Sequence, residues 1–166
     1  MRYRGRLYRA LNPVYAREPL SGRGAELYGG RFNPKGTAAL YAATSLQTAI
    51  REAHQVGDLQ PTTIVSYKAD IENIFDGRDP AELAGFGMTR AGLSDPTWRD
   101  QMKRGRKAHS QIFAEALIAA GFNGLLVRSF ARGATDDDLN LVLWRWSDKP
   151  PSRIALIDDD GRLTKG

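Results

Sequence analysis

Residues 11–37 carry neither the 3.6-residue apolar period of a helix nor the alternation of a strand; Gly, Pro, Arg and Asn dominate. A segment of that length inside a compact domain is either an ordered functional loop or a disordered one. The paired Gly29-Gly30 and the Asn33-Pro34-Lys35-Gly36 turn each prescribe a backbone geometry. An ordered loop with turns is therefore expected, and the core must be assembled from short elements on either side of it.

Those elements read as follows. Residues 3–10 form a short first strand and 38–43 a short buried one. Thr44 and Ser45 supply an N-cap for a helix over about 46–56, with Gly57 as its stop. Residues 62–70 alternate as a strand does. Residues 76–100 are turn-rich, with Asp79-Pro80 and Asp95-Pro96; a helix begins after Asp95 with Pro96 in its first turn, and Gly105 weakens its middle. A stronger helix over 109–121 ends at a glycine. Residues 123–130 and 140–146 read as central strands, and 153–157 as a last strand running into the turn at 158–161. The sum is α+β: a single compact domain over 1–166, with mixed short-stranded sheets and two to three helices. There is no regular βαβ alternation and no glycine fingerprint of a dinucleotide-binding Rossmann unit.

A chain of 166 residues can bury a core without staples. Cysteine is absent, which excludes a disulfide framework and a thiolate metal site. His54 and His109 are too few for a histidine-rich metal cluster, so no metal is expected. The opening residues lack an apolar h-region and no run approaches a membrane span, so a cytoplasmic protein without a membrane partner is expected. The charge, 24 − 19 = +5, favours anionic partners: nucleic acid, nucleotide phosphate or an acidic protein. Lys103, Arg104, Arg106 and Lys107 are the densest basic stretch and read first as a solvated helix face. No zinc-finger spacing or aromatic-rich RNA motif accompanies them.

The segment from Tyr28 to Gly36 holds the first candidate chemistry. Its glycines let the backbone come close to a ligand, and Arg31 and Lys35 sit on it as constrained cations suited to pyrophosphate. The same residues also fit a tight surface turn with solvated charges. Tyr41 ends the strand that follows, where it can stack on a flat heterocycle or pack in the core. On a helical wheel Leu46, Ala49, Ile50, Ala53 and Val56 share an apolar face, with Thr48, Arg51 and Gln55 well away from it. Glu52 falls on its flank, either as a cleft carboxylate or as a boundary ion pair. Ser129 follows Arg128 at a strand end, where it can bond a ligand or a neighbouring loop. No histidine lies near it in sequence, so a serine-hydrolase triad has no support, and His54 is taken as structural.

Together, Leu7-Tyr8-Arg9, Ser21-Gly22, Gly29 to Gly36, Leu40-Tyr41 and Ala49-Ile50-Arg51-Glu52 resemble the N-terminal half of the RES-domain family. The family is named for an arginine, a glutamate and a serine, which here fall on Arg31, Glu52 and Ser129. Phe32 stands where relatives usually carry tryptophan, the segment after Tyr41 differs from many members, and the 140–146 strand lacks the family's Asn-Pro ending. The resemblance implies a toxin of a type II toxin–antitoxin system with a fold like diphtheria-toxin-type ADP-ribosyltransferases. It implies NAD⁺ as substrate, and a helix-turn-helix (Xre-like) antitoxin as partner, through which alone nucleic acid is met. It further implies that Glu52 stabilises a cationic ribose, Arg31 holds the pyrophosphate and Tyr41 stacks on nicotinamide. Ser129 hydrogen-bonds the cofactor or fixes Arg31, with Tyr28 and Lys35 as second choices. ADP-ribose then goes to a protein, such as an enzyme of nucleotide biosynthesis, or to water or phosphate. The reading from another class is a non-catalytic basic module that binds nucleotide or nucleic acid.

Overall fold

A computed structural model describes residues 1–55 and 58–163. Its strands are β1 (Tyr3–Leu11), β2 (Leu40–Ala43), β3 (Thr63–Ile71), β4 (Ile74–Asp76), β5 (Gly124–Arg128), β6 (Leu139–Leu143) and β7 (Ser152–Leu156). They form one seven-stranded sheet in the order β4-β5-β6-β2-β1-β3-β7. β4 and β5 run parallel; the other neighbours are antiparallel. The helices are α1 (Arg23–Tyr28), α2 (Leu46–Ala53), α3 (Pro80–Gly85), α4 (Arg90–Leu93), α5 (Trp98–Lys103) and α6 (His109–Ala119), with a 3-10 turn at Pro13–Tyr15.

The α+β class is as expected, but six α-helices among the described residues exceed the expected two to three. α1 lies inside the expected loop; it buries none of its residues, so it carries no apolar period to announce it. α3 and α4 replace expected turns. Asp79 caps α3 by accepting from the amides of Ala81 and Glu82, with Pro80 in the first turn, and Thr89 caps α4 through the amide of Gly92. The helix expected after Asp95 starts beyond Pro96, at Trp98, and stops before Gly105, whose φ of 73° is left-handed. Three-residue β4 is too short to show alternation. Val56 and Gly57, the expected end of the second helix, lie outside the described residues.

Alternation divides the sheet into two apolar faces. Leu7, Leu40, Ala42, Tyr67, Ile71, Leu126, Leu141 and Leu143 form one. The segment leading into α1 is tied to this region. Trp146 Nε1 donates to the Leu20 carbonyl at 2.9 Å, Arg9 donates to the carbonyls of Pro19 and Ser21, and the buried Tyr67 hydroxyl donates to Pro19. Tyr67→Phe keeps the ring and loses that donor. Thermal unfolding is expected to show about 1 kcal/mol of destabilisation, or a Tm lower by roughly 2–4 °C. An unchanged Tm would mean that the Arg9 and Trp146 contacts fix the segment without it.

The other face packs Phe75, Leu125, Val127 and Val142 against Leu83, Leu93, Phe113, Ala114 and Leu117 of α3, α4 and α6. Phe75 meets Phe86, Phe113 and Phe122 edge-on, with ring centroids 5.4, 5.8 and 5.2 Å away. At the middle of the sheet the order breaks. β1 and β2 share one registered pair, Tyr8 with Ala43. Continued register would set Ala10 opposite Tyr41, but both line a cleft of about 460 Å³ instead.

Candidate active site

The glycine-rich loop is ordered by one buried side chain. Asn33 donates from Nδ2 to the carbonyls of Ala25 at 2.8 Å and Thr37 at 2.9 Å, and its Oδ1 accepts the Tyr41 hydroxyl at 2.6 Å. The Phe32 amide donates to that same hydroxyl at 3.0 Å. Burial pushes the Tyr41 phenol well above its usual range. Its hydroxyl is thus committed to the loop, while its ring lines the cleft. Tyr41 sits inside β2 rather than at its end. Gly30 is required here, since a Cβ would lie 2.6 Å from both the Tyr41 hydroxyl and Asn33 Oδ1. The loop carbonyls are met from other elements: Gln111 donates to Gly30 at 2.9 Å, Ser110 to Arg31 at 2.5 Å and Trp144 to Phe32 at 2.9 Å.

Arg31 leaves this loop half-buried. Its Nη1 donates to the carbonyls of Asp95 at 2.8 Å and Leu93 at 3.2 Å, and its guanidinium carbon lies 4.6 Å from the Phe130 ring centroid. Burial first, then nearby Arg99, lowers its pKa, while Asp95, Glu52 and Tyr41 act in the other direction. Arg31 is thus within electrostatic reach of Glu52 and Tyr41, although it does not line their cleft. A guanidinium stays charged in proteins. Nε and Nη2 have no hydrogen-bond partner among the described residues.

Ser45 caps α2, its side chain accepting from the Thr48 amide. Its orientation differs from the wheel. Thr48 and Ala49 are buried, whereas Leu46 is 46% and Ile50 36% exposed. The reason is polar. Thr48 Oγ1 donates to Asp138 Oδ1 at 2.7 Å and Arg51 pairs with Asp138 Oδ2 at 2.5 Å, turning in the side expected to be wet. Glu52, half-buried, faces the cleft. Asn140 Nδ2 donates to its Oε1 at 2.7 Å, and the Ser129 hydroxyl donates to the same oxygen. Oε2 has no partner among the described residues.

Tyr41 and Glu52 therefore share the cleft with Tyr8, Arg9, Asn140 and the 60–62 segment. Ser129 is bound to Glu52 rather than to Arg31, and its oxygen also accepts from the Ala131 amide at 3.1 Å. Tyr28, 73% exposed, and Lys35, also exposed, lie outside the cleft lining. Sequence reasoning missed Asn140 and Asp138, which carry no local signal. It quoted Asn33 only as a turn residue. The basic 103–107 stretch is exposed, as expected, but it is not a helix face: α5 ends at Lys103, and Arg104, Arg106 and Lys107 lie in the connection to α6. Lys107 pairs with Glu115, and none of the stretch lines the cleft. Among the described residues no group of three or more His, Asp or Glu could hold a metal, and no helix is long and apolar enough to cross a membrane.

Asp138 has a further consequence for acid stability. The Thr135 amide and the Thr48 hydroxyl, with Arg51 beside them, hold its carboxyl down at about 2, against an ordinary 3.8. A depressed folded-state pKa adds stability that is complete above the unfolded value and is lost as pH falls through the folded one. Tm is expected to drop between about pH 4 and about pH 2, and Asp138→Asn to flatten that drop. An equally steep drop in the variant would assign it to other carboxylates, such as Asp70, which Arg2 and Arg4 also hold at about 2.

The family model described as RES domain matches residues 6–165. A curated protein called Toxin Res from Yersinia enterocolitica serotype O:8 / biotype 1B is 48% identical over 46 residues, 28% of this chain and 30% of its own. Another Toxin Res, from Photorhabdus laumondii subsp. laumondii, is 45% identical over 53 residues, 31% of this chain and 34% of its own. The matched stretches span about a third of those relatives' lengths. A chain in the crystal structure of the M. tuberculosis MbcT-MbcA toxin-antitoxin complex superimposes with a TM-score of 0.68 at 22% identity, over 95% of this chain and 84% of that one. That likeness is one of fold. With nearly its whole length matched by the family model, the chain belongs to the RES-domain family.

Proposed function

We propose that this protein is the toxin of a type II toxin–antitoxin module, a cytoplasmic enzyme that cleaves NAD⁺ and transfers ADP-ribose to a cellular protein. The observation that carries the reading is the Glu52 carboxylate, fixed through one oxygen by Ser129 and Asn140 and open to the cleft through the other, beside the Tyr41 ring. The Toxin Res relatives and the toxin–antitoxin complex support the biological half.

In this mechanism the bond between ribose C1′ and the nicotinamide nitrogen breaks, and its electron pair leaves with nicotinamide. Positive charge passes from the pyridinium to the ribose. Glu52 Oε2 meets it there and can also accept a ribose hydroxyl. A nucleophile adds to C1′, forming the bond that replaces the one to nicotinamide, and its proton passes to solvent. Tyr41 stacks on the nicotinamide, and the free edge of the Arg31 guanidinium receives the pyrophosphate. A helix-turn-helix antitoxin silences the site by covering the cleft.

The test is purified protein incubated with NAD⁺ and cell lysate, read by mass spectrometry. Free nicotinamide together with an ADP-ribose adduct on a protein is the expected result. Nicotinamide with only free or phosphorylated ADP-ribose would move the acceptor to water or phosphate. Intact NAD⁺ would end the enzyme reading.

A further inference from the structure

Glu52 stands on a weak support. α2 has eight residues and buries only Thr48 and Ala49. A helix so short does not hold itself together in water. Its orientation must come from outside, and one residue holds two of its side chains. Asp138, 8% exposed, precedes β6 and is absent from the cleft lining. Its two carboxylate oxygens divide the work. Oδ1 takes the Thr48 hydroxyl; Oδ2 takes the Thr135 amide at 2.8 Å and forms an ion pair, without hydrogen-bond geometry, with Arg51 Nη1 at 2.5 Å. Thr48 and Arg51 are three residues apart and so lie on one side of the helix. Anchoring both to one carboxylate fixes how far α2 can roll, and Glu52 is the next residue.

The same residue reaches the partners of Glu52. The Asp138 carbonyl accepts the Ser129 amide at 2.7 Å, and Asn140 follows two positions later on β6. The next carbonyl, of Leu139, accepts the Thr44 amide at 3.0 Å, just ahead of α2. The helix that carries the carboxylate and the two donors that orient it therefore meet at one point behind the cleft.

We propose that Asp138 is the positioning residue of this site, holding α2, Ser129 and Asn140 in one arrangement so that Glu52 presents its free oxygen to the substrate. The inference rests on the NAD⁺-cleaving role of Glu52. Asp138 does not touch substrate; it acts through Thr48, Arg51 and the backbone. Asp138→Asn keeps the size but loses the charge that binds Arg51. Thr48→Val keeps the shape and loses only the hydroxyl, which makes it the second variant should Asp138→Asn fold poorly. Thr48→Ser restores the hydroxyl.

The experiment measures NAD⁺ cleavage and amide hydrogen exchange on wild type and the three variants. Asp138→Asn and Thr48→Val are expected to lower kcat by about 10- to 100-fold, the scale of a displacement near 1 Å, with KM changed by less than about threefold. Amides of residues 46–53 should exchange at least about tenfold faster, while those of β1 and β3 keep wild-type rates. Thr48→Ser should return both readouts toward wild type. Wild-type kcat in both other variants would overturn the proposal, and so would faster exchange spread equally through β1 and β3. If wild type cleaves no NAD⁺, the enzyme reading falls, and exchange decides alone: selective loosening of α2 sustains the positioning role, and unchanged exchange refutes it.

Discussion

Glu52→Gln is expected to give a folded protein that binds NAD⁺ and barely cleaves it. Glu52 Oε1 accepts both Ser129 and Asn140, and a glutamine can place its own oxygen there and keep both donors. Helix packing has little reason to change. What changes is the atom facing the cleft: an N–H donor stands where a carboxylate oxygen had been. In bound NAD⁺ the positive charge is on the nicotinamide ring, so binding loses little. In the transition state that charge is on the ribose, where the variant has no negative charge to meet it. An interaction that strengthens only there appears in kcat rather than in affinity. The expected loss is on the order of 10²–10³ in turnover, with NAD⁺ affinity within a few-fold and an unaltered circular dichroism spectrum. Turnover within about threefold of wild type would leave Glu52 as a boundary carboxylate and send the search to other residues.

Asn33→Ala is expected to damage stability and activity together. The side chain is fully buried and takes part in three well-formed hydrogen bonds, to Ala25, Thr37 and Tyr41. Alanine leaves two carbonyls and a phenol hydroxyl short of a partner in a dry site. Each such group costs more than the net worth of the bond it lost. We expect a destabilisation of about 2–4 kcal/mol and a Tm lower by roughly 5–15 °C. Activity should fall even where the variant is still folded, because the freed loop carries Arg31 and its hydroxyl partner is Tyr41. Thermal unfolding and NAD⁺ cleavage at low temperature check both halves. A Tm within a degree or two of wild type would show that Gln111, Ser110 and Trp144 hold the loop unaided.

The family resemblance and the loop between Tyr28 and Gly36 were legible because their cause is local. Glycine, asparagine and proline restrict φ and ψ wherever they occur, and Gly30 is indeed packed against Asn33 and Tyr41. The strand β3 was also legible, since a two-residue period is written into adjacent residues; β1 was legible as a strand, although it runs nine residues where a short one was expected. α1 was not, because a helix that buries nothing has no period to read.

The sequence by itself determined the α+β class, the main strands, the ordered turn between Tyr28 and Gly36, and Arg31, Tyr41 and Glu52 as candidates. Tertiary structure alone decided that Tyr41 and Glu52 share a cleft whose lining Arg31 does not join. The wheel of α2 pointed Leu46 and Ile50 inward, yet Asp138, ninety positions beyond Thr48, turned Thr48 and Arg51 in instead. Asn140 and Ser129 reach Glu52 across 88 and 77 positions. The cleft exists because β1 and β2 part after one registered pair. A periodic pattern reports which residues of one element share a side. It does not say which distant donor or charge will claim that side, and a buried carboxylate bonded to a helix outweighs the modest burial of two aliphatic side chains.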